Sequence, residues 1–473
     1  MEGGAGAPPS RVVIGAPPWL NAAVAARSPD RLPMLTKAVY GLGDFTINTA
    51  LASLSLVYAS YFLTQVADLR PALAGLVPLV GRVVDAVTDP LMGRLSDRTT
   101  WRAGRRRPYF LIAALPFGLS FAALWIDLPA ASQAVRFAYY TAVYSLLAVW
   151  MTVLAIPYLA LLPEMAVDYD ERTSLNTYRN TFALLGIFVA IAIRPLADAC
   201  GGGAAGYAAA AGLVAVLLVL PWPLIHRYSF ERRDFRERPS DTAWRQELRQ
   251  VLAHRTFNRL TIAYLSGRIA MDLVGALLIL YVTFWIGRSQ DFEIVMGLFL
   301  VAVAVSLPIW LRLARGRDKA TIFLVGSLWW MAGSSLFIFA TPEWSRWMLV
   351  AVTCLTAFGY AAVDLMPWAM LGEVIDEDDL LTGERREGVY NGIFTFLRKL
   401  GGALAVFLAL GLLDLLGFQK GGEQSEVVRQ AIRWMTALSP TLFLAIGVVA
   451  LWHYPLTRAA HAEIRARIAS RAS

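Results

Sequence analysis

Three ionisable residues lie close together in an otherwise apolar stretch of this sequence: Arg82, Asp85 and Asp89. Spacings of three and four residues place them on one face of a helix, with neighbouring Cβ atoms about 5–6 Å apart. The apolar run over 71–96 is long enough to cross a bilayer as a helix, and Asp85 then falls near its midpoint. The sequence therefore predicts two carboxylates and one guanidinium near the middle of a membrane.

Such charges are costly unless they are compensated. An ionisable side chain at the bilayer centre costs on the order of 2.5–3.5 kcal/mol even on insertion scales. Arg82 can neutralise one aspartate, and the other then needs a counter-ion that this helix does not supply. We interpret Asp85 and Asp89 as a binding site for Na⁺ or a proton. The alternative is a salt-bridged helix whose charges only fix its packing.

The composition indicates an integral membrane protein. Of 473 residues, 57% are hydrophobic and 16% are charged, against about a quarter charged in a typical soluble domain. The net charge of +8 does not point to nucleic acid, because the basic residues cluster in short loops between apolar segments. Cys200 and Cys354 cannot form a disulfide framework or a zinc site. We expect a lipid bilayer and a small solute as partners, and no cofactor beyond a coupling ion.

Twelve apolar segments of membrane-spanning length follow one another along the chain, and they predict an all-α membrane protein with twelve transmembrane helices. The segments are 38–66, 71–96, 108–126, 135–165, 174–196, 205–226, 257–286, 293–314, 319–340, 345–374, 388–416 and 426–455.

One long polar interruption divides these segments six from six, which favours two pseudo-symmetric bundles. The stretch over 156–173 echoes that over 366–379: each reads Pro, aromatic, a short apolar run, Glu and an acidic cluster. The predicted domains are a disordered cytoplasmic tail (1–36), an N-terminal bundle (37–227), a cytoplasmic linker (228–256), a C-terminal bundle (257–456) and a basic cytoplasmic tail (457–473).

Arginine-rich loops follow the second and eighth segments, whereas loops of the other parity carry few basic residues. The positive-inside rule places the even-numbered loops, the linker and both termini in the cytoplasm, so we predict a multi-pass protein of the cell (inner) membrane. Four tryptophans at the opposite ends predict an outer aromatic belt: Trp125, Trp285, Trp344 and Trp347.

Three motifs occur in order along the chain: GRVVDAVTDPLMGRLSDRT followed by GRRRPY, IPYLALLPEM followed by DERTSLNTYR, and TGERREGVYNGIFTFLRKLGGALA. Together they resemble the glycoside–pentoside–hexuronide:cation symporters, the melibiose-carrier-like branch of the major facilitator superfamily. The resemblance spans both halves of the chain. It implies the major facilitator fold and transport of a solute coupled to a cation.

The resemblance also implies roles for single residues. Asp85 and Asp89 match the family's cation-binding aspartates, Thr152 matches a threonine that contributes to the same site, and Lys399 matches a lysine beside it. Carboxylate and hydroxyl oxygens are the ligands that a hard cation prefers. We include Thr88 among the candidate cation-binding residues.

Sugar recognition follows less closely from the resemblance. The acidic positions used by melibiose-type members fall here at Asn48 or Thr49 and at Ala155, so galactoside specificity is not implied. Tyr158 retains an aromatic, and Arg179 matches a fifth-helix arginine approximately, with snorkelling toward the helix end as its alternative. The candidate substrate or coupling residues are Arg82, Lys399, Asn48, Thr49, Tyr158 and Arg179.

Asp97, with Arg98, Arg105 and Arg106, resembles the superfamily loop that latches helices on the cytoplasmic side. The alternative is that these arginines set topology alone. Four further charged residues lie within predicted helices. We expect Arg268 and Asp272 to form a structural pair, and we assign no role to Asp44 or Asp364.

These observations predict a secondary symporter, not an enzyme, that works by alternating access as a monomer. Arg82 favours ionised carboxylates and therefore Na⁺ over a proton. The expected solute is a sugar, glycoside or uronide, and a lysolipid or other amphiphile is the alternative. A membrane-embedded enzyme fits less well because all four histidines lie in loops or at helix ends, and a non-transporting sensor is a third possibility.

Overall fold

The computed structural model describes residues 31–99, 101, 104–166, 169–231, 244–383, 386–421 and 423–472. The predicted disordered tail lies outside the described residues up to residue 30, as do linker residues 232–243. The predicted domain boundaries remain predictions. The structure adds three details: the first helix already begins at Met34, inside the predicted tail, the linker contains a helix over Trp244–Ala253, and the basic tail forms a helix over Arg458–Ala472.

Every predicted apolar segment coincides with a helix in the described part of the chain, which confirms the all-helical prediction. The helices are α1 (Met34–Val66), α2 (Pro71–Arg98), α3 (Pro108–Leu124), α4 (Gln133–Met165), α5 (Tyr169–Ile191, continued by Ile193–Ala199), α6 (Gly203–Tyr228), α7 (Arg255–Trp285), α8 (Ser289–Ala314), α9 (Lys319–Phe339), α10 (Arg346–Thr382), α11 (Glu387–Leu415) and α12 (Glu426–Leu451). Ten are long and apolar enough to span a membrane by themselves, α5 does so with its continuation across a 42° bend, and α3 is shorter but apolar.

Local sequence explains where several helices start. Ser132, Ser345 and Ser425 precede α4, α10 and α12, and each hydroxyl accepts a hydrogen bond from the backbone N–H three residues on. Such caps satisfy a donor that has no partner inside the helix. Pro71 and Pro108 occupy the first position of α2 and α3, where proline loses no helical hydrogen bond.

The two halves repeat one packing scheme. In the first half α4 packs against α2 and α3, and in the second half α10 packs against α8 and α9. Between the halves, α2 packs along α11 and the second part of α1 packs against α7. The residues carried by α2 and α11 therefore lie where the halves meet.

Polar contacts join the halves at the end opposite to the arginine-rich loops. Arg70 Nη2 lies 2.7 Å from Asp414 Oδ2, Lys420 Nζ donates to the Val66 carbonyl at 3.0 Å, and the Gly421 N–H donates to Gln65 Oε1 at 3.0 Å. In this conformation the halves are tied together at the end that we predict to be extracellular.

The predicted aromatic belt is wrong for two of its tryptophans. Trp125 is fully buried and stacks on Tyr207 with ring centroids 5.7 Å apart, and Trp285 is buried with the guanidinium of Arg433 over its ring. Aromatic packing holds the Trp125 ring in the interior, and the Trp285 indole N–H donates to the buried Ala340 carbonyl at 2.8 Å. Trp347 is 67% exposed, as a belt residue would be.

Candidate functional site

The first ion pair of the candidate site lies within α2. Arg82 Nη1 donates to Asp85 Oδ2 at 2.9 Å, the i,i+3 contact that the spacing predicts. Asp85 is almost fully buried, and its Oδ1 atom has no hydrogen-bond partner in the described part of the chain. Thr88 donates to the Val84 carbonyl at 3.0 Å. One aspartate of the pair is thus neutralised from its own helix.

The other aspartate finds its partners on two other helices. Asp89 Oδ1 accepts from the Thr152 hydroxyl of α4 at 2.7 Å. Asp89 Oδ2 lies 2.8 Å from Lys399 Nζ on α11. The counter-ion that α2 lacks is therefore supplied by the opposite half of the molecule, 310 residues along the chain.

Both carboxylates converge on one position. Lys399 Nζ is 2.8 Å from Asp89 Oδ2 and 3.9 Å from Asp85 Oδ2. The hydroxyls of Thr88 and Thr152 are 3.4 Å apart beside them. A cation that replaced the ammonium group would meet two carboxylates with neutral oxygens nearby, a donor set suited to a hard cation. Among the described residues, no group of three or more His, Cys, Asp or Glu side chains has metal-binding geometry.

A second charged cluster lies wholly in the first half. Asp44 on α1 forms a two-point ion pair with Arg179 on α5: Nε donates to Oδ2, and Nη2 donates to Oδ1 at 3.1 Å. Tyr158 Oη donates to Asp44 Oδ2 at 2.7 Å, and the Arg179 guanidinium lies 5.4 Å from the Tyr158 ring centroid. Arg179 therefore points at a carboxylate rather than snorkelling toward the membrane surface.

The remaining first-helix candidates make local bonds. Asn48 donates to the Asp44 carbonyl at 2.8 Å. Thr49 is fully buried and donates to the carbonyls of Phe45 and Gly186 at 2.7 and 3.1 Å. The structure brings Tyr158 and Arg179 together, but it places Thr49 in the packing between α1 and α5.

The predicted pair on α7 is present, since Arg268 Nη2 lies 2.8 Å from Asp272 Oδ1. Arg268 Nη1 is 4.0 Å from Asp364 Oδ1 on α10. Both Arg268 and Asp272 line a cavity of about 120 Å³ between the halves, together with Arg82 and Lys399. These charges therefore border the space next to the candidate cation site.

The arginine-rich loop is held by glutamates of the same half. Arg105 and Arg106 both form ion pairs with Glu164 at the end of α4. The Glu231 carboxylate accepts the backbone N–H groups of Arg105, Arg106 and Arg107 at 2.7, 2.8 and 3.0 Å. Burial raises the pKa of Glu231, but these three donors outweigh it and leave the pKa below its ordinary value. Two carboxylates thus fix this loop.

The two other members of the predicted gate are Asp97 and Arg98. Arg98 is exposed at the end of α2, and the side chain of Asp97 lies outside the described residues. In the second half, Lys319 Nζ lies 2.8 Å from Glu373 Oε1. Glu373 and Glu164 are the glutamates of the repeated motif, so each half binds its basic loop through the same motif residue.

Sequence reasoning missed four residues that the structure brings into these clusters: Asp44, Glu164, Glu231 and Arg398. Asp44 precedes the candidate Asn48 by one helical turn, and Arg398 directly precedes Lys399. Glu164 stands in the repeated motif. The partners of Asp44, Glu164 and Glu231 lie far along the chain, so no local spacing in the sequence predicts these contacts.

Comparison with known proteins identifies the family. The family described as MFS/sugar transport protein matches residues 39–458, most of the chain. This chain belongs to that family. As a member of the MFS/sugar transport protein family, it is a multi-pass membrane transporter of the major facilitator fold.

Individual relatives of this family member span nearly the whole chain. The uncharacterized symporter sll1374 of Synechocystis is 29% identical, covering 94% of this chain and 98% of the relative. The sodium-dependent lysophosphatidylcholine symporter 1-A of Danio rerio is 24% identical, covering 84% and 81%. The nucleoside transporter NupG has a similar fold, with a TM-score of 0.64 at 13% identity, covering 89% of this chain and 98% of that one.

Proposed function

We propose that this family member is a cation-coupled symporter, with Na⁺ favoured over a proton, that moves a small solute by alternating access. The observation that carries the proposal is the contact of Asp89 with Lys399, because it joins the two halves at the position where two carboxylates converge. Named symporters among the relatives support the same class of function.

The coupling follows from the charge at this position. Without the coupling ion, Lys399 neutralises Asp89 and bonds α11 to α2. A bound Na⁺ would take over that neutralising role and free the ammonium group. Loss of the bond between the halves then lets them move, while the carboxylates stay compensated as the site closes to water.

Na⁺ is favoured because the site keeps its carboxylates in cationic surroundings. Arg82 bonds Asp85 at 2.9 Å and Lys399 lies within 3.9 Å of both aspartates. Nearby positive charges favour the ionised form of a carboxylate. Ionised oxygens with the Thr152 hydroxyl beside them suit Na⁺, whereas a proton-driven carrier needs a carboxylate that protonates readily.

The solute that we propose first is a sugar, glycoside or uronide, as the family description indicates. The second candidate is a lysolipid or similar amphiphile. It is favoured by one observation, the similarity to a relative named as a sodium-dependent lysophosphatidylcholine symporter over most of both chains. Asn48, Tyr158 and Arg179 remain candidates for the solute side of the site, whereas Thr49 is buried between α1 and α5.

The orientation that we propose has the arginine-rich loops, and hence both termini, in the cytoplasm of a monomeric inner-membrane protein. Glu164 and Glu231 then hold the cytoplasmic gate of the first half through Arg105 and Arg106. Cysteines introduced at 227–231 should react with impermeant reagents only from the cytoplasmic side. Labelling from the outside alone would contradict this orientation.

The test of coupling is solute uptake into proteoliposomes. Candidate sugars, uronides and lysolipids are first screened by thermal shift with and without Na⁺, and the hit is then assayed under an imposed Na⁺ gradient or an imposed pH gradient. We expect accumulation with the Na⁺ gradient and its loss in Asp85→Asn. Accumulation driven by the pH gradient alone would reject Na⁺, and accumulation by Asp85→Asn equal to wild type would end the cation-site proposal.

A further inference from the structure

The cavity between the halves has an unusual charge distribution. Its volume is about 120 Å³, and helices α1, α2, α4, α7 and α11 line it. Four cationic side chains face it, whereas one carboxylate, that of Asp272, does so. The cations are Arg82, Arg268, Arg398 and Lys399.

Three of these cations have a carboxylate partner. Arg82 bonds Asp85, Lys399 bonds Asp89, and Arg268 bonds Asp272, all within 2.9 Å. Among the described residues, Arg398 makes no ion pair, and its Nε atom is buried without a hydrogen-bond partner. The Nε atom of Arg268 is in the same condition.

The packing of α7 against α11 fixes this arrangement. A Cβ atom at Gly402 would come within 1.8 Å of Asp272 Oδ2, so the carboxylate fills the notch that the missing side chain leaves. Arg398 lies one helical turn before Gly402 on the same face of α11. Two guanidinium groups therefore border the cavity, and the carboxylates beside them, Asp272 at 2.8 Å and Asp364 at 4.0 Å, are both engaged by Arg268.

An arginine inside the membrane without a counter-charge is expensive, and neighbouring cations add to that cost. Such an arginine is found where it faces a water-filled cavity and binds a substrate or an ion as part of the protein's function. The missing negative charge has to come from a group that enters the cavity, because Asp272 is already engaged by Arg268 at 2.8 Å. In a transporter of two bundles, the solute is the molecule that enters a central cavity between them.

We propose that Arg398, with Arg268 beside it, forms a subsite for an oxyanion, a carboxylate or a phosphate, on the solute. This inference rests on the proposed transport function and narrows its substrate class to solutes that carry an oxyanion group. The planar fork of a guanidinium bonds both oxyanions in two-point fashion. At about 120 Å³ the cavity suits such a group rather than a whole ligand, which typically needs a pocket of roughly 300–1,000 Å³.

The test is binding to the purified full-length protein in detergent, with pairs of probes of which one member carries an oxyanion group and the other does not. One pair is p-nitrophenyl β-glucuronide and p-nitrophenyl β-glucoside, and the other is oleoyl lysophosphatidylcholine and monoolein. Wild type is compared with Arg398→Gln, with the charge-preserving Arg398→Lys, and with Arg429→Gln, which removes an arginine near the start of α12 where it pairs with Glu426.

In wild type and Arg429→Gln, the oxyanion-bearing member of one pair should bind at least about tenfold more tightly than its neutral partner. Arg398→Gln should lose most of that preference, leave the neutral probe within about twofold, and remain folded because the variant removes an uncompensated charge. Arg398→Lys should retain part of it. The pair that shows the preference identifies a uronide-type carboxylate or a phospholipid-type phosphate as the source.

Equal binding of both members of each pair by wild type would overturn the subsite, as would a preference that Arg398→Gln leaves unchanged. The same titrations are run with Na⁺ and with choline in its place. A preference for the oxyanion-bearing probe that is independent of Na⁺ would support the subsite and count against cation coupling. An effect of Na⁺ on probe binding without any such preference would support coupling and overturn the subsite.

Discussion

Two carboxylates in the first half of the molecule have similar partners but different positions. Asp44 pairs with Arg179 and accepts a hydroxyl bond of 2.7 Å from Tyr158. Asp89 pairs with Lys399 and likewise accepts a hydroxyl bond of 2.7 Å, from a threonine. The first cluster is built from α1, α4 and α5 of one half, whereas the second takes its lysine from α11 of the other.

Under the proposed mechanism, this difference separates a structural bond from a coupling bond. When two bundles rock about a central site, a contact within one bundle moves with it unchanged. A contact between bundles lies on the path of the motion and must break or shear. The side chains of Asp89 and Lys399 are each 26% exposed, against 14% for Asp44 and 15% for Arg179. The bond between the halves is thus also the one that solvent and ions can reach.

The sharpest test of this comparison is Asp89→Asn. The variant removes one of the two carboxylates that converge on the site, so Na⁺ affinity should fall by about 100-fold, the order of effect of losing a partner from a buried charged site. Na⁺-driven accumulation should disappear, while exchange of solute across the membrane persists because exchange need not return an empty carrier. The measurement is Na⁺-dependent thermal shift together with uptake and counterflow in proteoliposomes. Retained Na⁺ affinity would place the ion elsewhere.

Lys399→Ala tests the other side of the same bond. Without the ammonium group, Asp89 has no competitor for a cation and the halves lose one link. The Na⁺ concentration for half-maximal uptake should therefore fall about tenfold. The protein should fold, because Asp89 keeps its bond to Thr152 and is partly exposed. The check is the Na⁺ concentration for half-maximal uptake. An unchanged value would remove Lys399 from the coupling mechanism.

Asp44→Asn makes the same chemical change inside one half. It leaves Arg179 without a charge partner in a nearly buried position, which costs on the order of 3 kcal/mol and lowers the apparent Tm by about 6 °C. Na⁺ dependence of the remaining transport should match wild type. If Asp44→Asn instead abolished Na⁺ dependence while its melting behaviour stayed normal, the distinction between the two bonds would be wrong.

Glu231→Gln probes a contact that also stays within the first half, and we expect the smallest effect here. Loss of a carboxylate that holds three backbone N–H groups should cost about 1 kcal/mol, or about 2 °C in apparent Tm. Na⁺-coupled transport should continue. A large loss of coupling in this variant would show that the loop takes part in the transition itself.

The lowered pKa of Glu231 predicts how the Tm difference between wild type and Glu231→Gln depends on pH. A carboxylate whose pKa is lower in the folded protein stabilises it above the ordinary glutamate value and loses that effect as pH falls through the lowered value. The Tm difference between wild type and Glu231→Gln should therefore stay constant from about pH 7.5 to about pH 5 and shrink below about pH 4. A difference that is already lost at about pH 6 would contradict the assignment.

Much of the fold and part of the site could be predicted from the sequence. Twelve apolar runs of sufficient length specify twelve helices, since backbone groups in lipid must bond within their own segment. The contact of Arg82 with Asp85 and that of Arg268 with Asp272 follow from helical spacing alone. The place of Lys399 beside the cation site was implied by the family resemblance rather than by any spacing in the sequence.

The tertiary structure alone decided which charges meet. Lys399 bonds Asp89 across 310 residues, and Arg179 bonds Asp44 across 135. Periodicity along one helix fixes its neighbours at three and four residues, but contacts between helices depend on the crossing angles and register of packed segments. Because α2 packs against α11, Asp89 contacts a lysine of the other half. Within the part of the chain that the structure describes, the same packing leaves Arg398 without a carboxylate partner, which no spacing in the sequence predicts.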